Sequence, residues 1–298
     1  MEIVKNWKDF EIIDAGESEK LERWGNYILC RPDPQAIWNR NIDLLNEWNN
    51  PTAVYSRSTE GGGSWKYTSE MPAEWIIKYN DLSFLVRPTG FKHTGIFPEQ
   101  AVNWDLLIAN ISKNIGQGRK NIKVLNLFGY TGCATVACLY AGAEVCHVDS
   151  SKQILTTAHD NILLNKCDES RVRYIVEDAF SFVKKEVRRG NKYDIIIMDP
   201  PTFGRGNKGQ VWKIEKDLNE FVGLCSQILS DTPIAFILNT YVSGLSATSI
   251  SNILQLWLKK KFDGVFFSDE IGLPITYGGN VDTGLVLPTG VCGRWIQQ

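Results

Sequence analysis

From residue 122 onward the chain alternates two hydrophobic periods, and this alternation constrains the fold more than any other feature. "IKVLNLF" (122–128), "EVCHVD" (144–149), "VRYIVED" (172–178), "YDIIIMD" (193–199) and "IAFILNT" (234–240) are short apolar runs of strand length. Between and after them stand "TGCATVACLYAGA", "SKQILTTAHDNILLN", "AFSFVKKEVRR", "KDLNEFVGLCSQIL" and "SISNILQLWLKKKF". The second of these places Ile154, Leu155, Ala158, Ile162 and Leu163 at helical spacing. Strands separated by helices of about ten or more residues predict βαβ units, a doubly wound parallel sheet and right-handed crossovers. The last two runs, "GVFFSDE" and "GLVLPTGVCGRW", have only loop between them, which predicts an antiparallel edge.

Residues 1–91 follow another pattern. "WKDFEIIDAG", "GNYILCRPDP", "WKYTS" and "FLVRPTG" are short strand-like runs broken by Gly and Pro, with one helix expected near "IDLLNEW". The glycines at 61–63 precede "SWKYTS" and not a helix, so a hairpin turn is expected there in place of a phosphate cradle. The expected division is a small α+β domain at 1–91 and a larger α/β domain at 92–298.

Composition excludes several classes. A net charge of -2 means that any nucleic-acid partner must meet a local basic patch. The seven cysteines form no C-x-x-C pair and only three histidines are present, so no metal site is expected. No apolar run approaches the ~20 residues of a membrane span, and no apolar leader opens the chain. A cytoplasmic protein with reduced thiols is therefore expected, with no membrane partner.

In open α/β sheets ligands bind beyond the carboxyl ends of the strands. The first of these strands ends "NLFGYTG", where Gly129 and Gly132 would let the backbone approach a ligand. That G-x-x-G departs from the G-x-G-x-x-G of dinucleotide sites. The second strand ends in Asp149, placed to accept from ribose hydroxyls, or else to cap the helix that follows. The third ends in Asp178 before Ala179, suited to an adenine amine, with a helix cap again the rival reading. The fourth ends in Asp199-Pro200-Pro201. Together the three acids outline a nucleoside-shaped cleft without a phosphate-binding motif.

The sequence from "NLFGYTG" through "EVCHVD" and "EDAF" to "DPPTFG" resembles the class I S-adenosylmethionine-dependent methyltransferases. More narrowly it is similar to the large-subunit ribosomal RNA methyltransferases that pair N-L-F-x-Y-T-G with D-P-P-x-F. "TGIFPEQ" upstream and "LPTGVCGRW" at the end extend the likeness from about 92 to the C-terminus. The resemblance implies a Rossmann-like, mostly parallel seven-stranded sheet and S-adenosylmethionine as cofactor. It implies that Asn126, Phe128, Gly129 and Thr131 line the methionine end, with Tyr130 and Gly132 in the same turn. Asp149 would hold the ribose, Asp178 and Ala179 the adenine, and Phe97 and Gln100 would close over the cofactor.

Asp199, Pro200, Pro201 and Phe203 would form the catalytic segment, with Asp199 also bordering the cofactor. The carboxylate and the carbonyls beside the prolines can accept from a base amine, the prolines bring rigidity and no competing N–H, and Phe203 can stack on a flipped base. Relatives that make 5-methylcytosine carry a cysteine after the fifth strand; here that strand ends "LNTYVSG", with Asn239, Thr240 and Tyr241. Carbon methylation needs a covalent nucleophile and nitrogen methylation does not, so a base nitrogen in ribosomal RNA is the expected acceptor. Arg205, Lys208, Trp212 and Lys213 in "GRGNKGQVWKIEK" are the expected RNA contacts, through phosphate attraction and stacking, with a structural role for the tryptophan the equal alternative. Two alternatives stand beside this reading. One is the same cofactor with a protein or small-molecule acceptor, and the other is a non-catalytic RNA-binding module that keeps the cofactor pocket. A monomer and a homodimer both remain open.

Overall fold

The computed structural model describes residues 1–58, 62–90, 92–206, 209–242, 244–279 and 282–298, and of Arg205 the backbone alone. The chain divides into two compact units, Met1–Val102 with Ile271–Thr289, and Asn103–Glu270 with Gly290–Gln298. This differs from the expected boundary at 91/92, and backbone hydrogen bonds explain the return of 271–289 to the first unit. Strand β1 (Glu2–Ile3) pairs in parallel with Ile271 and Gly272. The N–H groups of Thr276 and Tyr277 donate to the carbonyls of Ile12 and Ile13, each at 2.9 Å. The Thr276 hydroxyl donates to Glu11 Oε2 at 2.7 Å.

In the first unit, β2 (Phe10–Gly16), β3 (Glu19–Trp24), β4 (Tyr27–Pro32), β5 (Ala53–Arg57) and β6 (Gly63–Tyr67) form one sheet in sequence order. All its pairings are antiparallel except β4 with β5. Between those two lies the expected helix, a 3-10 turn at Ile42–Leu44 that runs into α1 (Leu45–Asn49). Its Trp48 is buried with Ile13, Leu21 and Cys30, and Trp48 Nε1 donates to Asp14 Oδ2 at 2.8 Å. The expected turn at the glycine run joins β5 to β6, with Arg57 opposite Gly63; residues 59–61 of it are outside the described set. A side chain at 63 would place its Cβ 2.2 Å from the Ser56 carbonyl oxygen, so glycine is required there. β7 (Trp75–Tyr79) and β8 (Leu82–Val86) form a separate hairpin.

The second unit follows the βαβ alternation. Helix α2 (Ala101–Gly116) enters it, followed by β9 (Lys123–Leu127), α3 (Cys133–Tyr140), β10 (Glu144–Asp149), α4 (Lys152–Leu164), β11 (Val172–Val176), α5 (Ala179–Arg189) and β12 (Ile195–Met198). A ribbon of β13 (Phe203–Arg205) and β14 (Val211–Lys213) then leads to α6 (Ile214–Gln227), β15 (Ala235–Thr240), α7 (Ala247–Leu258), β16 (Val265–Pro274) and β17 (Val286–Ile296). The large sheet has the order β1-β16-β17-β15-β12-β9-β10-β11. That is eight strands and not seven, because the two-residue β1, too short to leave a periodic signal, joins β16 within the first unit. Strands β9 to β12 and β15 pair in parallel, and β17 runs antiparallel to β15 as the edge pattern predicted.

Strand alternation sorts the two faces. Leu125, Leu127, Cys146, Val148, Ile196, Met198, Phe236 and Leu238 share a core with Phe182 of α5, Phe221 of α6 and Leu254 of α7. Val124, Asn126, Val145 and His147 point the other way, where α3 packs on β9 and β10. Among the described residues no helix is long and apolar enough to cross a membrane.

Candidate active site

The chain passes from β9 to β10 and β11, then resumes at β12 on the other side of β9. This reversal puts a crevice at the carboxyl ends of β9 and β12. β9 runs into a turn where Phe128, Tyr130 and Gly132 have φ of 56°, 49° and 82°. Left-handed backbone costs free energy for residues with a Cβ, and hydrogen bonds offset it. Gly129 N–H donates to the Val148 carbonyl at 3.0 Å, and Tyr130 N–H to Asp149 Oδ2 at 3.1 Å. Asn161 Nδ2 donates to the Thr131 carbonyl at 2.8 Å.

The two glycines of the turn are required by neighbours within the protein. A Cβ on Gly129 would lie 2.5 Å from His147 Cε1, and one on Gly132 would lie 2.9 Å from Ala158 Cβ. Asn126 is buried and its Nδ2 donates to Thr135 Oγ1 at 2.9 Å, which lies 2.8 Å from His147 Nδ1. Burial pushes the His147 pKa down to about 4, opposed weakly by the Tyr130 carbonyl. A neutral ring can accept at Nδ1 from the Thr135 hydroxyl, which itself accepts from Asn126. Sequence reasoning missed His147 and Thr135. The available signal was a histidine inside an apolar strand, on the face of Asn126 and two residues before Asp149.

A test of this arrangement is Gly129→Ala, which forces a methyl group into the imidazole. Overpacking should cost at least about 1 kcal/mol in urea unfolding. Adding His147→Ala should return part of that loss; strictly additive losses would show that the two residues do not conflict.

Asp149 ends β10. Its Oδ1 accepts from Ser151 N–H at 2.9 Å and its Oδ2 from Tyr130 N–H. Burial raises its pKa, while the backbone donors of Ser151, Tyr130 and Ser150 hold it down. The cap of α4 is Ser151, not Asp149. Asp178 does cap α5, with Oδ1 accepting from Ser181 N–H at 2.8 Å, so the rival reading of that residue describes its Oδ1. Ala179 is buried directly behind it. Glu177 N–H donates to the Asp149 carbonyl at 3.0 Å, which sets the two strand ends side by side.

Asp199 follows β12, its N–H directed to the Leu127 carbonyl at 3.4 Å. Pro200 is buried, Pro201 exposed, and Phe203 is 49% exposed. The expected stacking role of Trp212 is corrected. Trp212 is only 7% exposed, and its ring packs on those of Phe128 and Phe221, each centroid 5.5 Å away. Its Nε1 donates to the Pro201 carbonyl at 2.6 Å, so it braces the segment after Asp199 and has no free face for a base. The Phe128 ring belongs to this aromatic group. Lys213 is exposed, Arg205 pairs with Val211 through its backbone, and Lys208 lies outside the described residues. Phe97 and Gln100 stand in the first unit, where Gln100 N–H donates to the Phe97 carbonyl at 3.0 Å.

Comparison with known proteins decides the family. The model of the S-adenosylmethionine-dependent methyltransferase family matches residues 58–229. The chain belongs to this family. A crystal structure of the SAM-dependent methyltransferase from Agrobacterium tumefaciens superposes with a TM-score of 0.93 at 35% identity, covering 100% of this chain and 93% of that one. Ribosomal RNA large subunit methyltransferase I of Enterobacter sp. (strain 638) is 36% identical over 258 residues, 79% of this chain and 61% of that protein. Ribosomal RNA large subunit methyltransferase K/L of Shewanella frigidimarina is 29% identical over 262 residues, 76% of this chain and 35% of that protein. The chain thus spans at most 61% of the length of these two curated relatives.

The methyltransferase crevice suits the cofactor of the family on chemical grounds. A ribose diol needs an acceptor, and Asp149 is a half-buried carboxylate whose roughly four lone-pair sites outnumber its backbone donors Ser150, Ser151 and Tyr130. The backbone of the 128–132 turn is held in one conformation above His147 and Ala158.

Proposed function

We propose that this protein transfers a methyl group from S-adenosylmethionine to a base nitrogen of ribosomal RNA. The observation that carries the reading is the placement of Asp199-Pro200-Pro201 at the switch point, beside the turn that Asp149 holds. The two relatives, both ribosomal RNA large subunit methyltransferases by name, support ribosomal RNA as the acceptor. When bound, the cofactor supplies an electrophilic methyl group on a sulfonium. The protein's task is then to place an acceptor in line with it, where correct orientation carries most of the rate.

In this reading Asp199 accepts a hydrogen bond from the base and turns its nitrogen toward the methyl group. Phe203 stacks on the base, and the Trp212 bond to the Pro201 carbonyl keeps the intervening segment rigid. Asn126, Phe128, Gly129, Tyr130, Thr131 and Gly132 surround the methionine end, and Asp178 with Ala179 receives the adenine. Arg205, Lys208 and Lys213 attract RNA phosphates. No metal ion is needed for these steps.

Nitrogen is favoured over carbon because no suitable thiol is at hand. Asn239, where a cysteine nucleophile would be expected, is 2% exposed and accepts from Asn103 Nδ2 at 2.9 Å. Cys292 pairs with Asn239 across β15 and β17, a proximity the linear sequence hides, but it is 1% exposed and lies 3.4 Å from Asn103 Oδ1. Burial pushes the thiol of Cys133 up to about 12 and raises that of Cys225, so neither forms a thiolate at neutral pH. Every single Cys→Ser variant should therefore keep methyl transfer within about threefold, and no protein–RNA adduct should survive a denaturing gel. A Cys variant that folds and binds cofactor yet is inactive would restore carbon methylation.

A further inference from the structure

The first unit holds a cation cluster that the methyl-transfer reading leaves unused. Two backbone hydrogen bonds tie residues 87–89 to 93–94, Arg87 N–H donating to the Thr94 carbonyl at 2.8 Å and Thr89 N–H to the His93 carbonyl at 3.2 Å, with residue 91 outside the described set. Side chains of the sheet fasten it down. Tyr55 donates to the Gly90 carbonyl at 3.2 Å, Trp65 Nε1 to the Thr89 carbonyl at 2.8 Å and Arg31 Nη1 to the Lys92 carbonyl at 2.7 Å.

The acids nearby are already engaged. Glu22 takes both Arg31 Nε and Nη2, at 2.6 and 2.8 Å, and lies 3.4 Å from Lys20 Nζ; Asp33 lies 3.3 Å from the same ammonium. Burial would raise the Glu22 carboxyl, but Arg31 and Lys20 hold its pKa at about 2. Lys20 and Arg31 thus take both carboxylates, and among the described residues neither Lys92 nor Arg57 has an ion pair of its own. Burial, then the charges of Lys20, Arg57 and Arg31, lower the Lys92 pKa, with Asp33 opposing. His93 reports the same field, its pKa pushed down to about 4 by burial and then by Arg31, Lys92, Lys20 and Arg57. A half-buried ammonium among like charges on a pinned loop is costly unless an anion completes it.

We propose that Lys92 and Arg57, backed by Lys20 and Arg31, form a phosphate-binding site that holds a backbone phosphodiester of the RNA acceptor. The assignment of the phosphate to RNA rests on the reading under Proposed function, whereas the anion site rests on the cluster itself. Backbone carbonyls of the loop are already held in the free protein, and the phosphate oxygens would accept from two cations that lack a partner carboxylate.

The test uses the full chain with ribosomal RNA, and with inorganic phosphate as a separate probe. Lys92→Gln with Arg57→Gln should weaken RNA binding about 10-fold, the scale of removing charged hydrogen bonds. The slope of log affinity against log salt should fall by about 0.7–0.9 for each phosphate that is no longer neutralised. Lys92→Arg should keep the slope, and unchanged urea midpoints would show that the variants fold. In the wild type, inorganic phosphate should raise the His93 pKa followed by NMR, and in the double variant it should not. RNA bound and methylated by the double variant with the wild-type slope would overturn the site and leave methyl transfer to RNA standing. A His93 response to phosphate in a protein that binds no RNA would overturn the RNA assignment and point to another phosphate ester.

Discussion

Asp199→Ala should lower the single-turnover rate of methyl transfer on the order of 100-fold or more, the usual scale for a misplaced reactant, while S-adenosylmethionine affinity should fall far less. Position is the reason. Asp199 follows a fully buried strand at the switch point, its N–H directed to the Leu127 carbonyl, and the residues after it are rigid for separate reasons. Pro200 and Pro201 restrict φ, and Trp212 holds the Pro201 carbonyl from inside the aromatic group. The Asp199 carboxylate is thereby presented from a fixed frame, and its loss removes an acceptor. Asp199→Asn, which keeps one oxygen, should fall between wild type and alanine. Rapid-quench transfer paired with calorimetric cofactor titration separates the effects. An Asp199→Ala protein with normal turnover on its true acceptor would remove the base-orienting role.

Asp149→Ala should weaken S-adenosylmethionine binding by about 1.5–3 kcal/mol, the range for hydrogen bonds to a charged group. Beyond the proposed ribose contact, its Oδ2 accepts from the Tyr130 N–H of the turn. Burial raises its pKa, so hydroxyl donors from a ribose favour the ionised form, and binding should release protons. Affinity should therefore fall as pH drops through the Asp149 pKa, and Asp149→Asn should flatten that dependence. Unchanged calorimetric affinity in the alanine variant would take the ribose role away from this residue.

Much of the second unit was legible because its strands and helices differ in period over many residues. Runs such as "YDIIIM" and "IAFILN" are too apolar for anything but a doubly covered strand. The three strand-end carboxylates could be found by counting to the ends of those runs. What escaped depends on contacts distant in sequence. β1 is two residues long and gains its identity only from Ile271 and Gly272. The β13–β14 ribbon is three residues on each side, too short for a two-residue period to register. Trp212 has the same local context whether it faces RNA or the core, and only Phe128 and Phe221 decide the matter. Gly129 is equally ambiguous, since a glycine demanded by a ligand and one demanded by His147 look alike in a sequence. Cys292 reaches Asn239 only through strand pairing.

Methyl transfer to a nitrogen of a ribosomal RNA base is the claim on which the other roles depend. The most direct measurement incubates the purified protein, isotope-labelled S-adenosylmethionine and ribosomal RNA taken from cells lacking this chain, then analyses the digested nucleosides by mass spectrometry. The expected result is a single labelled nucleoside whose fragmentation places the methyl group on a base nitrogen, absent from the Asp199→Ala reaction. Label on a base carbon, on ribose, on protein or on a small molecule, with unlabelled RNA nitrogens, would contradict it.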